Sequence, residues 1–189
     1  MKLTETNISG LVVIEPDVFH DGRGCFFESF SARKFEELTG LKVDFVQDNE
    51  SHSVYGTVRG LHFQTGTHAQ AKLVRVVKGR VLDVAVDLRE GSPTYGRHFS
   101  VELSEENHRM LFIPRGFAHG FSVLSEEVVF QYKCDNFYHP EADGGISILD
   151  DTLEIDWGLA MKEAILSEKD TKHVKLAEFD SPFIYKENC

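Results

Sequence analysis

Arg59-Gly60-Leu61-His62-Phe63-Gln64 and Pro114-Arg115-Gly116-Phe117-Ala118-His119-Gly120-Phe121 decide the fold. Each sets one histidine in a run of apolar, strand-forming residues, with glycine beside it so that the backbone can bend. Rolled into one barrel, two such strands turn both imidazoles toward a single cavity. A histidine pair in a cavity suits proton transfer.

The flanking sequence supplies the other walls. Residues 73–77 form a strand that ends in the turn Lys78-Gly79-Arg80. Residues 81–88 alternate, with Leu82, Val84, Val86 and Leu88 on one face and Asp83, Ala85 and Asp87 on the other. Residues 99–103 and 110–113 are further strands, and residues 121–124 and 128–133 read as a hairpin across Ser125-Glu126-Glu127. Short strands with regular turns predict a mainly β chain, an antiparallel sandwich or barrel. A single α-helix is expected early: Ser31 caps it, Phe35 and Leu38 form its apolar stripe, and Gly40 stops it. From about Gly158 onward mixed helix and loop is expected to pack over the barrel. No linker or repeat divides residues 1–189, so one domain is expected.

Composition narrows the function. With 41% hydrophobic residues and 15 Phe, the chain carries enough apolar mass for a sizeable core. A net charge of -11 argues against non-specific nucleic-acid binding, and an anionic ligand would need a local cluster of Arg and Lys set against that field. No apolar run approaches membrane-spanning length, and the N-terminus lacks a signal-peptide pattern. Cys25, Cys134 and Cys189 are widely spaced and read as free thiols of a cytoplasmic protein.

Several side chains carry candidate chemistry. A zinc or iron site needs three or four ligands. The chain near His62 supplies Gln64, His68 and Gln70, and His68 reads as a turn residue, so no metal site is expected. Tyr132 shares a face with Val128 and Phe130; it is either core or an acid, protonated at neutral pH with an ordinary pKa of about 10. Lys72 is a solvated strand end or, turned inward, a stabiliser of a developing oxyanion. Asp170 is a surface charge unless residues 166–170 fold back to His62, where it would orient the imidazole. The guanidinium forks of Arg23 and Arg59 suit a diphosphate, and Tyr138 and Phe26 suit stacking on a base or sugar. Strict alternation puts Arg59 and His62 on opposite faces, so both reach one cleft only if the strand bulges at Gly60.

Pro114-x-Gly116-x-x-His119 is similar to the pattern that closes barrels of the cupin, or jelly-roll, type. Metal-binding cupins carry a second histidine where this chain has Gln64. The ordered set Asp21-Gly22-Arg23-Gly24, Val46-Gln47-Asp48-Asn49, residues 59–64, Gln70-Ala71-Lys72, residues 83–89 and 114–121, Tyr132, Tyr138 and residues 166–170 resembles the dTDP-4-dehydrorhamnose 3,5-epimerases, cupin-fold sugar-nucleotide epimerases. The resemblance runs over almost the whole chain. It implies a cupin-type jelly roll with a few short peripheral helices, and a homodimer with the N-terminal strands at its interface.

It also implies roles. His62 would be the general base, paired with Asp170, and Tyr132 the acid on the other face of the sugar. Lys72 would stabilise the enolate, with His119 near the sugar. Arg23 and Arg59 would hold the diphosphate; Glu28, Gln47 and Asn49 would contact the nucleotide, with Asp48 beside them; Phe26 and Tyr138 would stack; Lys169 would help close the site. Many relatives carry Glu where Asp143 aligns, and Glu141 competes for that position. The implied reaction removes and returns protons at C3 and C5 beside a C4 ketone, with no metal and no redox cofactor. Epimerisation at one centre, ketone isomerisation, a metal-dependent oxygenase and a non-catalytic binder are the alternatives.

Overall fold

A computed structural model describes residues 1–186. In chain order the strands are β1 (Lys2–Glu5), β2 (Val12–Glu15), β3 (Val18–Asp21), β4 (Gly24–Phe27), β5 (Gln47–Val54), β6 (Val58–Gln64), β7 (Lys72–Lys78), β8 (Arg80–Asp87), β9 (His98–Ser104), β10 (Met110–Ile113), β11 (Phe117–Val123), β12 (Glu127–Cys134) and β13 (Asp143–Gly145). The one α-helix among the described residues, α1 (Ala32–Thr39), lies between β4 and β5, and short 3-10 turns occupy the loops. Ser31 Oγ caps α1 by accepting from Lys34 N, and Gly40 closes it in the left-handed conformation at φ 71°.

One antiparallel sheet has the order β1-β2-β10-β7-β12-β5 and a second the order β13-β6-β11-β8-β9. Their inner faces meet in a core of Val74, Val76, Leu111, Val128 and Phe130 against Val81, Ala85, Leu103, Phe121 and Val123. This is the expected jelly roll. Burying each of the Val, Leu and Phe side chains stabilises the fold by about 1.5–3 kcal/mol.

Both outer faces are largely covered. Val84, Val86 and Leu88 point away from the core of the barrel and are buried beneath Ile148, Leu153, Trp157 and Phe183. Leu159, Met161, Leu166, Leu176 and Phe179 pack on the same layer, so the C-terminal stretch lies over the second sheet. It does so through loops and 3-10 turns, with no α-helix among its described residues. On the other side Phe35 of α1 packs against Leu73, Met110 and Phe112.

The hairpin expected over residues 121–133 does not form. β11 pairs with β6 and β8, whereas β12 pairs with β5 and β7. The chain changes sheets at this corner. Ser125 Oγ accepts from Arg80 N at 2.8 Å and donates to the Glu127 carbonyl at 2.7 Å, tying the corner to the β7–β8 crossing. A period-two pattern states which face of a strand is buried but not which strand lies beside it.

Cys25 and Cys134 are free thiols, and Cys189 lies outside the described residues. Among the described residues, no helix is long and apolar enough to cross a membrane.

Candidate active site

The bulge at Gly60 builds the site. His62 is the cross-strand partner of His119, and Arg59 the partner of Phe121. Three steps along β6 therefore match two along β11, and the extra residue shifts the phase of the strand. Arg59 and His62 thus reach the same cleft. Gly60 has φ 131°, and a Cβ there would stand 2.6 Å from Gly120 Cα. A Cβ on Gly120 would stand 2.5 Å from the Arg59 carbonyl oxygen, so only a glycine pair fits this crossing.

Between the sheets opens a cleft of about 760 Å³, lined by Arg59, His62 and His119 from one sheet, Asn49, Lys72 and Tyr132 from the other, and Lys169 and Asp170 from the returning C-terminal segment. His62 Nε2 donates to Asp170 Oδ1 at 2.6 Å. Burial alone would raise the Asp170 carboxyl, but the hydrogen bond and charge of His62 outweigh it and hold the group below the ordinary carboxylate range. An anionic acceptor on Nε2 fixes the tautomer and leaves Nδ1 as the basic nitrogen of neutral His62. His119 makes a separate pair: its Nε2 lies 2.9 and 3.0 Å from the two oxygens of Asp83, which is fully buried.

The opposite wall carries the groups that could meet negative charge. Burial raises the Tyr132 phenol, so the group stays protonated throughout the neutral range. Lys72 Nζ lies 5.7 Å from the centre of the Tyr132 ring. Burial pulls the Lys72 ammonium below an ordinary lysine, against the nearby Cys134, Asp143 and Asp83. An imidazole on one sheet thus faces a phenol and an ammonium on the other, and Arg59 lines the same cleft.

At the rim, Gln47 Nε2 donates to Asn49 Oδ1 at 2.9 Å, and its Oε1 accepts from Tyr138 N at 3.0 Å. The half-exposed Tyr138 donates its hydroxyl to Asp143 Oδ2 at 3.2 Å, and Lys169 forms an ion pair with the same oxygen. Glu141 is exposed in a 3-10 turn. Other expected residues lie away from the cleft. Asp48 points to the outer face of its strand and pairs with Lys133 Nζ at 2.9 Å, because neighbours on a strand alternate. Arg23 is exposed on the β3–β4 ribbon and bonds Asp21 at 2.6 Å; Phe26 is exposed beside it, and Glu28 pairs with Lys34 at 2.9 Å.

A family model described as dTDP-4-dehydrorhamnose 3,5-epimerase matches residues 5–178. The chain belongs to the dTDP-4-dehydrorhamnose 3,5-epimerase family. It is 52% identical over 178 residues to the enzyme of that name from Methanothermobacter thermautotrophicus, a match covering 94% of this chain and 95% of the relative. A crystal structure of the Elizabethkingia anophelis epimerase is 54% identical with a TM-score of 0.90, covering 94% of this chain and 97% of that one. A Legionella pneumophila epimerase in complex with dTDP-4-keto-L-rhamnose is 47% identical with a TM-score of 0.93, covering 98% of this chain and 99% of that one.

Within this epimerase fold two polar residues beside the cleft histidines carry no expectation from the sequence. Asp83 holds His119, and its inward phase beside Ala85 was the available signal. His173 sits edge-on to His62, with ring centres 5.7 Å apart. Nothing local in Thr171-Lys172-His173-Val174 marks it, because its neighbours come from a strand more than one hundred residues earlier. Gln64 is buried outside the lining of the cleft. Its amide bonds the backbone N and O of His139 at 2.9 and 2.8 Å, which anchors the segment leading to Asp143.

Proposed function

We propose that this chain epimerises C3 and C5 of dTDP-4-dehydro-6-deoxy-D-glucose, giving dTDP-4-dehydro-L-rhamnose through enolate intermediates. The observation that carries this reading is the half-buried His62, paired with buried Asp170, facing the protonated Tyr132 and the Lys72 ammonium across one cleft.

The C4 ketone acidifies the protons on C3 and C5. His62 Nδ1 removes one, and Asp170 stabilises the imidazolium that forms. Negative charge moves to the ketone oxygen, where Lys72 meets it in a partly desolvated setting. Tyr132 then delivers a proton to the other face of the carbon and inverts it. The resulting tyrosinate and imidazolium are reset by exchange with solvent before the second centre reacts. The oxidation state of the sugar does not change, so each step is a proton transfer made by side chains.

The nucleotide end follows from the rim. Arg59 pairs with the diphosphate, Asn49 and Gln47 contact the nucleoside, and Tyr138 stacks on the thymine, held by Asp143. Lys169, locked to Asp143, closes the segment that delivers Asp170. The exposed ribbon of β3 and β4, with Phe19, Arg23 and Phe26, completes the cleft of a second copy in a homodimer. That placement accounts for two large aromatic side chains left in water beside a guanidinium. The enzyme acts in the cytoplasm on its soluble sugar nucleotide.

The test is deuterium uptake. Turnover in heavy water, followed by NMR of the sugar, is expected to place label at both C3 and C5. Label at one carbon alone would reduce the activity to a single epimerisation.

A further inference from the structure

Behind the His62–Asp170 pair stands a third side chain of metal-ligand type that the epimerisation does not use. One ring nitrogen each of His62 and His173 and a carboxylate oxygen of Asp170 lie within 4.8 Å of one another. His173 Nε2 is buried and has no hydrogen-bond partner. Buried polar atoms are normally paired. Gly145 makes room for this one: a Cβ there would stand 2.6 Å from His173 Nε2 and 2.7 Å from the Leu61 carbonyl oxygen.

We propose that His62, Asp170 and His173 together form an inhibitory site for a divalent transition-metal ion, Zn²⁺, bound in place of the proton that His62 shares with Asp170. The inhibitory part rests on His62 being the base. Two imidazole nitrogens and one carboxylate oxygen are a ligand set that zinc accepts, with its fourth position open to water from the cleft. Magnesium and calcium favour all-oxygen sets and are excluded by the same chemistry. In a tetrahedral site, zinc–ligand bonds of about 2.0–2.2 Å set neighbouring ligand atoms roughly 3.4 Å apart. The three atoms already lie within 4.8 Å of one another, so the 2.6 Å His62–Asp170 contact opens slightly as the ion enters between the two groups.

The proton balance explains the inhibition. In the metal-free pair Nε2 carries the proton and Nδ1 the lone pair. Zinc takes Nε2, the ring proton moves to Nδ1, and no lone pair is left to accept a proton from the sugar.

The experiment uses metal-stripped full-length protein in a non-chelating buffer. ZnCl₂ is titrated by calorimetry while turnover is followed in parallel. One zinc per chain and a loss of turnover reversed by EDTA are expected, with no effect of MgCl₂. His173→Gln should keep the basal turnover and need at least tenfold more zinc for half-inhibition, since loss of even an outer-shell partner costs about 10–100-fold. Should that variant fold poorly, Co²⁺ bound to the unaltered protein reads the site, where intense visible bands of low coordination are expected. Weak bands of a six-coordinate ion overturn the site, as does zinc affinity unchanged in a folded His173→Gln. Absence of stoichiometric binding overturns the metal site alone. Stoichiometric zinc with undiminished turnover overturns the inhibition and counts against His62 as the base.

Discussion

His62 and His119 stand directly opposite each other in the β6–β11 pair, yet each imidazole is bonded to a carboxylate of its own. Asp170 reaches His62 from the C-terminal segment, and Asp83 reaches His119 from the neighbouring strand β8. The two histidines are equivalent in register and unequal in setting. His62 is half-buried at the cleft, with a partner that can settle its imidazolium. His119 is buried and braced by a carboxylate that never meets water.

Replacing Asp170 with Asn removes the charge that stabilises protonated His62 while keeping the shape. Turnover is expected to fall by roughly 10²–10⁴, the usual range for a lost acid–base element, with a smaller change in KM. Stability gives a second readout. The Asp170 carboxyl is held below its unfolded value of about 3.9, so its contribution is present above that value and is lost as pH falls through the folded one. Urea denaturation across pH should show the gap between the original protein and the Asn variant closing below about pH 4.

Tyr132→Phe separates the two halves of inversion. His62 can still remove a proton and return one from solvent to the same face. Deuterium is therefore expected to enter the substrate without change of configuration, while product formation falls by about 10²–10⁴. An NMR time course reads both. Equal loss of exchange and product would assign Tyr132 a binding role instead.

Lys72→Met should lower kcat by about 10²–10³, the usual cost of one oxyanion-stabilising group, without loss of thermal stability. The folded-state pKa of Lys72 lies below that of the unfolded chain, mainly through burial. The unfolded state therefore binds the extra proton, and stability rises with pH through that window. The methionine variant lacks this desolvation penalty at every pH, so its melting temperature should equal or exceed that of the original protein. The alkaline limb of the rate profile should also move to higher pH, where Tyr132 in place of the Lys72 ammonium loses its proton.

Gly60→Ala tests the bulge. At φ 131° an alanine is strained, and its Cβ would stand 2.6 Å from Gly120 Cα and 3.0 Å from the His119 carbonyl oxygen. Strain of about 1–3 kcal/mol adds to overlap of similar size, about 1–3 kcal/mol. Urea denaturation should show a loss of at least about 2 kcal/mol, together with loss of activity as Arg59 and His62 leave register.

Much of the candidate site was legible because it is local. Apolar alternation and flanking glycines identified two inward histidine strands, the phase of Val128 and Phe130 carried Tyr132 inward, and the Ser31 to Gly40 signals located the helix. These are nearest-neighbour rules, and a strand or cap obeys them whatever surrounds it. The tertiary structure decided what depends on pairing. It put β11 and β12 in different sheets, since period-two patterning names a face but no partner. It brought Asp170 to His62 across 108 residues of chain. It turned Asp48 outward, and it set His173 behind the base in space left by Gly145. The sequence by itself determined which side chains are chemically able to move a proton. Only the closure of the barrel, driven by burial of both faces of the second sheet, decided which of them meet.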